Sequence, residues 1–150
     1  MKKMICVIVA FAVLFSYVPA YAEEQKDELL LHARAALLMD AATGRVLYEK
    51  DGYTPYAVAS TTKILTAILI LEADCEEEYA EVSANATKQP KVKLFVKKGE
   101  EYLVRDLLYS LLLESHNDTA VVLAEHVAGS VEAFAGCMNA KAKEIGCKNS

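Results

Sequence analysis

Two polar residues, Ser60 and Lys63, stand near the start of an apolar, helix-like stretch that runs from Ala57 to Asp74. Residues three positions apart share one face of a helix, so the hydroxyl of Ser60 and the amine of Lys63 can meet. A serine hydroxyl becomes an effective nucleophile when a base removes its proton, and a lysine desolvated among apolar side chains can be that base. The same spacing also fits a helix-capping serine and a lysine whose head group reaches water.

A second polar triplet, Ser115-His116-Asn117, separates two helical stretches further along the chain. The Ser115 hydroxyl could relay a proton between the lysine and a leaving amine, and the Asn117 amide could hold a substrate carbonyl and orient the lysine. The alternative is structural, because a serine followed three residues later by Asp118 is a capping-box pattern that starts a helix.

The remaining polar residues predict neither a metal nor a cofactor. His116 is interpreted as an exposed loop residue, with a place at the mouth of the cleft, where it could alter substrate preference, as the alternative. His32 and His126 form no metal-ligand pattern with it. Three cysteines, Cys75, Cys137 and Cys147, follow the first 22 residues, and an odd number leaves their pairing open.

The first 22 residues have the three parts of a secretory signal peptide: a cationic start, an apolar run and small residues at Ala20 and Ala22. We therefore predict export to the extracytoplasmic face of a bacterial membrane, the periplasm or the cell wall. Cleavage after Ala22 leaves residues 23–150, in which 14 basic residues face 21 acidic ones, a net charge of 14 − 21 = −7. Nucleic-acid binding calls for a basic surface, so we predict no nucleic-acid partner.

The hydrophobic pattern of the mature chain predicts a β-hairpin followed by helices. The run `ARAALLMDA` is typical of a strand covered on both faces, `RVLYEKDG` alternates as a second strand does, and Thr43–Gly44 makes the turn between them. A helix to about Leu71 comes next, then `EADCEEEYAE` as a helix end and loop, and `KVKLFVKKGEEY` as a short strand with a glycine turn.

Helical patterns resume at Val104 and continue almost to the end of the chain. We predict that one face of the first of these helices is formed by four leucines: Leu107, Leu108, Leu111 and Leu112. Two further helices follow, and glycines at positions 129 and 146 are placed to end them.

An S-x-x-K motif at the start of a buried helix, followed by S-x-N between two helices, resembles penicillin-binding proteins and class A β-lactamases. The chain resembles the D-alanyl-D-alanine carboxypeptidases of the dacA/dacF type. These are low-molecular-mass penicillin-binding proteins and serine peptidases of the S11 family. The likeness runs from about Ala33 to Gly146. It is carried by two segments, `ALLMDAATGRVLYEKDGYTPYAVASTTKILTA` and `LFVKKGEEYLVRDLLYSLLLESHNDTAVVLAEHVAGSVEAFAGCMNAKAKEIG`.

This resemblance implies an α/β (α+β) fold of the β-lactamase/transpeptidase-like type. Ser60 would attack the carbonyl between the two terminal D-alanines of a peptidoglycan stem peptide, with Lys63 as the general base. Ser115 would relay protons, Asn117 would bind the substrate backbone, and the Ser60 N–H would supply half of an oxyanion hole. β-Lactams would acylate Ser60 as covalent inhibitors.

The resemblance also implies a third motif, Lys-Thr-Gly, which in the family contributes carboxylate recognition and the other oxyanion donor, but it does not occur in the 150 residues. Thr43–Gly44 is not this motif, because it follows Ala42 and belongs to the opening hairpin. We therefore interpret residues 23–150 as the N-terminal part of a catalytic domain whose C-terminal sheet strands are missing. Such a piece is expected to show no peptidase activity by itself and to be unstable or aggregation-prone when expressed alone. Membrane association is expected only through a C-terminal anchor that is not present in these residues.

Two other functions share the two motifs. A serine β-lactamase or a related esterase would use the same nucleophile with faster deacylation. A non-catalytic penicillin- or peptidoglycan-binding domain would keep the fold without turnover.

Overall fold

The computed structural model of the protein describes residues 29–148, so the predicted signal peptide lies outside the described residues. The chain divides into two compact units, Met1–Thr54 and Pro55–Ser150. The described part of the first unit contains two antiparallel strands, and the second unit contains helices and a second pair of antiparallel strands, as expected of an α+β chain.

The first unit contains the predicted hairpin, formed by β1 (Ala36–Met39) and β2 (Val46–Lys50). The strands pair antiparallel, and the turn is closed by Asp40, whose Oδ1 accepts a hydrogen bond of 2.8 Å from the Thr43 backbone N–H. Gly44 has a φ of 70°, which a glycine adopts without a steric penalty. The predicted hairpin and its turn are confirmed.

The prediction that the first strand is covered on both faces is wrong for this unit. Leu38 keeps 55% of its surface exposed, and its neighbours Leu37 and Met39 are similarly open. The described part of the unit offers only a two-stranded ribbon, and a ribbon of two strands has no further layer to bury its side chains.

The second unit contains helices around a small sheet of two strands. Its elements in chain order are α1 (Thr62–Glu72), β3 (Tyr79–Glu81), β4 (Glu101–Leu103), α2 (Val104–Leu113), α3 (Asn117–Ala128) and α4 (Val131–Glu144). Short 3₁₀ turns at Ala59–Thr61 and Ala86–Lys88 precede α1 and β4. Strands β3 and β4 pair antiparallel, with Ala80 opposite Tyr102.

Helix α1 lies at the centre of the second unit and packs against α2, α3 and α4. Its buried face is formed by Thr66, Ala67 and Ile70. Of the four leucines predicted on one face of α2, three are buried, whereas Leu112 is 50% exposed. At about 100° per residue Leu112 lies on the flank of the stripe rather than at its centre, so this part of the prediction is wrong.

The segment between β3 and β4 differs most from the sequence prediction. The pattern of `KVKLFVKKGEEY` predicts an alternating strand before its glycine turn, yet regular pairing begins only at Glu101. Strand β3 was not predicted, because its three residues are embedded in the acidic run `EADCEEEYAE`. We call residues 88–98 the strap. Its backbone is hydrogen-bonded to Asn117 and Asp118 at the start of α3.

The last two helices end as predicted at positive-φ glycines. Gly129 has a φ of 76° and donates its N–H to Glu125 O over 2.8 Å, and Gly146 has a φ of 91°. Among residues 29–148 no single helix is long and apolar enough to cross a membrane; α3 and α4 together reach that length and composition, with a bend of 83° between them.

Candidate active site

Ser60 lies in the 3₁₀ turn immediately before α1, with its side chain exposed. The N-cap of α1 is Thr61, and neither this helix nor the preceding turn has a side-chain cap hydrogen bond. The residue before Ser60, Ala59, has a φ of 46°, a conformation that non-glycine residues rarely adopt. The interpretation of Ser60 as a helix cap is therefore not supported by the geometry, and its hydroxyl is accessible.

Lys63, one turn later, does not extend its amine into open solvent. Its partly buried Nζ donates to the backbone oxygen of Ser115, to Ser115 Oγ over 3.0 Å and to Asn117 Oδ1 over 2.8 Å. These contacts join α1 to the loop before α3, which contains Ser115, and to Asn117 at the first position of α3. The structure thus brings Lys63, Ser115 and Asn117 together.

The loop before α3 is held in an unusual conformation. Ser115 has a φ of 60°, and the N-cap of α3 is His116 without a side-chain cap bond, so Ser115 does not form the predicted capping box. His116 turns toward α2, where its Nδ1 lies 2.8 Å from Ser110 Oγ. Its ring is only partly exposed, which differs from the predicted exposed loop residue.

Asn117 connects the site to the strap. Its Nδ2 donates to Pro90 O over 3.3 Å and to Lys91 O over 3.1 Å, and its backbone N–H donates to Val92 O over 2.8 Å. Both donor hydrogens of the amide are used, whereas Oδ1 retains a lone pair beyond the one that accepts from Lys63. Binding of a substrate carbonyl by Asn117 stays a prediction, and it requires Nδ2 to exchange a strap oxygen for that carbonyl.

Asp118 fixes the next part of the strap with a fully buried carboxylate. Oδ1 accepts from the N–H groups of Leu94 and Thr119, both over 2.9 Å. Oδ2 accepts from Phe95 N over 2.8 Å and from Val96 N over 3.3 Å. A single side chain therefore replaces the sheet partner that the predicted strand would have required, and this is why the segment is ordered without being a strand.

A cavity of about 380 Å³ opens beside this cluster. Ser60, Lys63 and Asn117 line one part of it, and apolar side chains of α3 and α4, including Val121 and Phe134, line the rest. No hydrogen bond joins Ser60 to Lys63 among the described residues, yet both face this same space. Ser115 is not a lining residue and reaches the site through its contact with Lys63.

Two opposed effects act on the pKa of Lys63. Desolvation lowers it from its ordinary value of 10.5, and the negative charge of Asp118 partly offsets this by favouring the ammonium form. The net effect is a lowered pKa. A neutral amine is what a general base requires, and a lowered pKa increases the fraction of Lys63 that is neutral at a given pH below 10.5.

We expect the Asp118→Asn substitution to lower the pKa of Lys63 further, since it removes the charge that favours protonation. The measurement is the pH titration of the Lys63 side chain by ¹³Cε NMR, whose midpoint should lie below 10.5 in the parent chain and lower still in the variant. Asp106→Asn removes an exposed charge from the first turn of α2 and is the control. An unchanged or raised midpoint in Asp118→Asn would contradict this electrostatic account.

Sequence reasoning missed Asp118 as a site-organising residue and treated it only as part of a capping box. The available signal was its position directly after Asn117, in the first turn of a helix that carries no other acidic residue there. The strap gave no comparable signal, because its alternating apolar residues are typical of a strand.

The described residues contain no group of three or more histidine, cysteine, aspartate or glutamate side chains placed to hold a metal ion. Cys75, Cys137 and Cys147 are free thiols in the structure, and only Cys75 is buried. Burial raises the pKa of the Cys75 thiol, which keeps it protonated and unreactive.

Residues 21–150 match the peptidase S11 family, described as D-alanyl-D-alanine carboxypeptidase. The chain belongs to this family. Among its peptidase S11 relatives, D-alanyl-D-alanine carboxypeptidase DacF of Bacillus subtilis is 35% identical, over 100% of this chain and 41% of the relative. D-alanyl-D-alanine carboxypeptidase DacC of Escherichia coli is 38% identical, over 93% of this chain and 38% of the relative.

Solved structures agree with this assignment to the peptidase S11 family. D-alanyl-D-alanine carboxypeptidase DacD of Francisella tularensis superposes with a TM-score of 0.75 at 35% identity, over 80% of this chain and 30% of that one. Penicillin-binding protein D2 of Listeria monocytogenes, in its ampicillin-bound form, gives a TM-score of 0.70 at 30% identity, over 81% of this chain and 50% of that one. These likenesses confirm the predicted penicillin-binding fold, and the chain spans less than half the length of the curated relatives named above.

Proposed function

We propose that this chain carries the nucleophile and the general base of a serine-type D-Ala-D-Ala carboxypeptidase acting on peptidoglycan stem peptides. The observation that supports it most is the convergence of Ser115 and Asn117 on the Lys63 amine, beside a cavity that Ser60 also lines. Family membership supplies the reaction class, and the cluster supplies the residues that can perform it.

In the proposed reaction, Ser60 Oγ bonds to the carbonyl carbon between the two D-alanines while Lys63 Nζ takes the hydroxyl proton. The C–N bond of the tetrahedral intermediate then breaks, and the proton passes from Lys63 through Ser115 Oγ to the leaving amine nitrogen. D-Alanine departs, and water hydrolyses the ester on Ser60 to regenerate the hydroxyl. Lys63 Nζ now donates three hydrogen bonds, but a neutral amine has only two N–H groups. One of the three must therefore break when the Nζ lone pair accepts the Ser60 proton.

The 150 residues supply only one of the two hydrogen-bond donors that would stabilise the oxyanion. The Ser60 backbone N–H is one donor, and the Lys-Thr-Gly motif that carries the other in the family does not occur in the 150 residues. We propose that the 150-residue chain alone therefore releases no D-alanine from a bisacetylated Lys-D-Ala-D-Ala peptide. A strained β-lactam ring has a more reactive carbonyl than a peptide. We therefore propose that β-lactams still acylate Ser60 slowly in this chain.

Labelling by a fluorescent penicillin tests the proposed nucleophile. The 150-residue chain should take up the label slowly, with the modified residue located at Ser60 by peptide mass spectrometry, and Ser60→Ala should take up none. Ser83→Ala alters another serine of the same unit and is the matched control, with labelling equal to the parent chain. A label found on another residue, or retained in Ser60→Ala, would refute Ser60 as the nucleophile.

A serine β-lactamase would share every residue of this cluster, and the lifetime of the acyl-enzyme separates the two enzymes. We propose slow loss of the penicilloyl label, as a carboxypeptidase inhibited by β-lactams requires, and rapid hydrolysis of penicillin would instead favour the β-lactamase. We further propose that the protein acts outside the cytoplasm, where its peptidoglycan substrate lies, in keeping with the signal-peptide pattern of residues 1–22.

A further inference from the structure

The strap is strongly basic although the whole chain is acidic. It holds five of the chain's 16 basic residues and no aspartate or glutamate, whereas the chain carries a net charge of −5. The five are Lys88, Lys91, Lys93, Lys97 and Lys98. None of them forms a salt bridge with a residue in the range 29–148.

The strap lysines differ in what surrounds their amines. Lys93 Nζ donates to Thr87 O over 3.3 Å and lies 5.7 Å from the centre of the Phe95 ring. Lys97 is next to the carboxylate of Glu100, which accepts a 2.7 Å hydrogen bond from the Lys97 backbone and has its pKa lowered mainly by that bond. These two charges are therefore partly engaged within the protein.

Lys91 is different, because it combines an exposed, uncommitted amine with a fixed position at the site. Its backbone oxygen accepts the 3.1 Å bond from Asn117 Nδ2, and the neighbouring Val92 oxygen accepts from Asn117 N. The side chain is exposed, and its amine has no hydrogen-bond or ion-pair partner within the described part of the chain. The backbone of Lys91 is thus hydrogen-bonded to Asn117, which contacts Lys63, while the Lys91 ammonium group is available to a ligand.

We propose that Lys91 is a specificity-determining residue that binds a free carboxylate of the substrate peptide on a residue preceding the D-Ala-D-Ala end. This inference rests on the proposed function and adds a preference among its substrates. An ammonium group attracts a carboxylate as a point charge, and the neighbouring strap lysines add positive potential of the same sign. The terminal carboxylate is assigned by the family resemblance to the Lys-Thr-Gly motif, so the carboxylate left for Lys91 is an internal one.

The test compares the binding of two dye-labelled peptides that both end in D-Ala-D-Ala and differ only in one preceding carboxylate, free in the first and amidated in the second. Binding is measured by fluorescence anisotropy to the 150-residue chain carrying Ser60→Ala, so that no acyl-enzyme forms. We expect the free carboxylate to bind about 3- to 10-fold more tightly, as a partly exposed charge pair allows, and the preference to shrink as salt is raised. Adding Lys91→Gln should remove the preference and leave the affinity for the amidated peptide unchanged.

Lys98→Gln is the matched control, since it removes a strap charge beside the Gly99 turn rather than beside Asn117. Equal preference in Lys91→Gln and its parent, an equal loss in both lysine variants, or no binding of either peptide at millimolar concentration would overturn the inference. Penicillin labelling of the chain with intact Ser60 separates this from the proposed function. If Lys91→Gln alone is still labelled at Ser60 but the preference is absent, only the role of Lys91 fails.

Discussion

Replacing Asp118 with alanine should destabilise the helical unit by about 3–5 kcal/mol, the largest effect on stability that we expect from any single substitution in the site. The carboxylate accepts four backbone N–H groups, and two of their residues, Val96 and Thr119, are buried. Alanine would leave these donors without partners in a place that water enters poorly. The strap would then detach from α3, and Asn117 would lose the oxygens that hold its amide.

The measurement is urea denaturation of the purified chain, followed by circular dichroism at 222 nm, which reports on the helices. Asp106→Ala is the control, because Asp106 also occupies the first turn of a helix but is exposed, so it should change stability by about 1 kcal/mol or less. A loss of less than about 1 kcal/mol in Asp118→Ala would mean that the strap is not held by this carboxylate.

Replacing Lys63 with methionine should reduce the rate of penicillin labelling by about 10²- to 10⁴-fold, which is the usual contribution of a general base. Methionine retains an unbranched apolar side chain in the partly buried site, so the helix should survive while the base is lost. The Ser115 and Asn117 oxygens would lose their contact with the amine, yet both residues are partly exposed, so water can solvate these oxygens.

The rate is measured from the time course of labelling, with the intact fold checked by circular dichroism. Lys143→Met serves as the control, since Lys143 is an exposed residue near the end of α4 and outside the cavity lining, and it should leave the rate unchanged. Labelling of Lys63→Met within a few-fold of the parent rate would show that another group activates Ser60.

The part of the site that could be predicted was the part encoded locally. Ser60 and Lys63 are three residues apart, and although Ser60 lies in the 3₁₀ turn before α1 rather than in the helix itself, both residues line the same cavity, as their spacing suggests. The contact between Lys63 and Ser115 spans 52 residues, and it was expected from the resemblance of the two motifs rather than from periodicity. The helix ends at Gly129 and Gly146 were also local, because a positive φ favours glycine.

The errors arose where a distant side chain replaces regular structure. The alternating residues of the strap predict a strand, and nothing nearby indicates that Asp118 would bind its N–H groups from 22 to 24 positions away. The exposure of β1 was missed for a related reason. A continuous apolar run predicts a buried strand, but a strand is buried only where other layers of structure pack on its faces. Within the described residues the first unit has no such layer.

Among the described residues, the hydrogen bonds that join Asn117 and Asp118 to the strap all involve main-chain atoms of the strap. Exposed strap side chains can therefore be exchanged while the hydrogen bonds that hold the strap to the start of α3 are kept. Substitutions at these exposed positions could change the charge of the strap without altering the contacts among Lys63, Ser115 and Asn117. With such a main-chain attachment, the charge of the strap and the geometry of the polar cluster can vary independently.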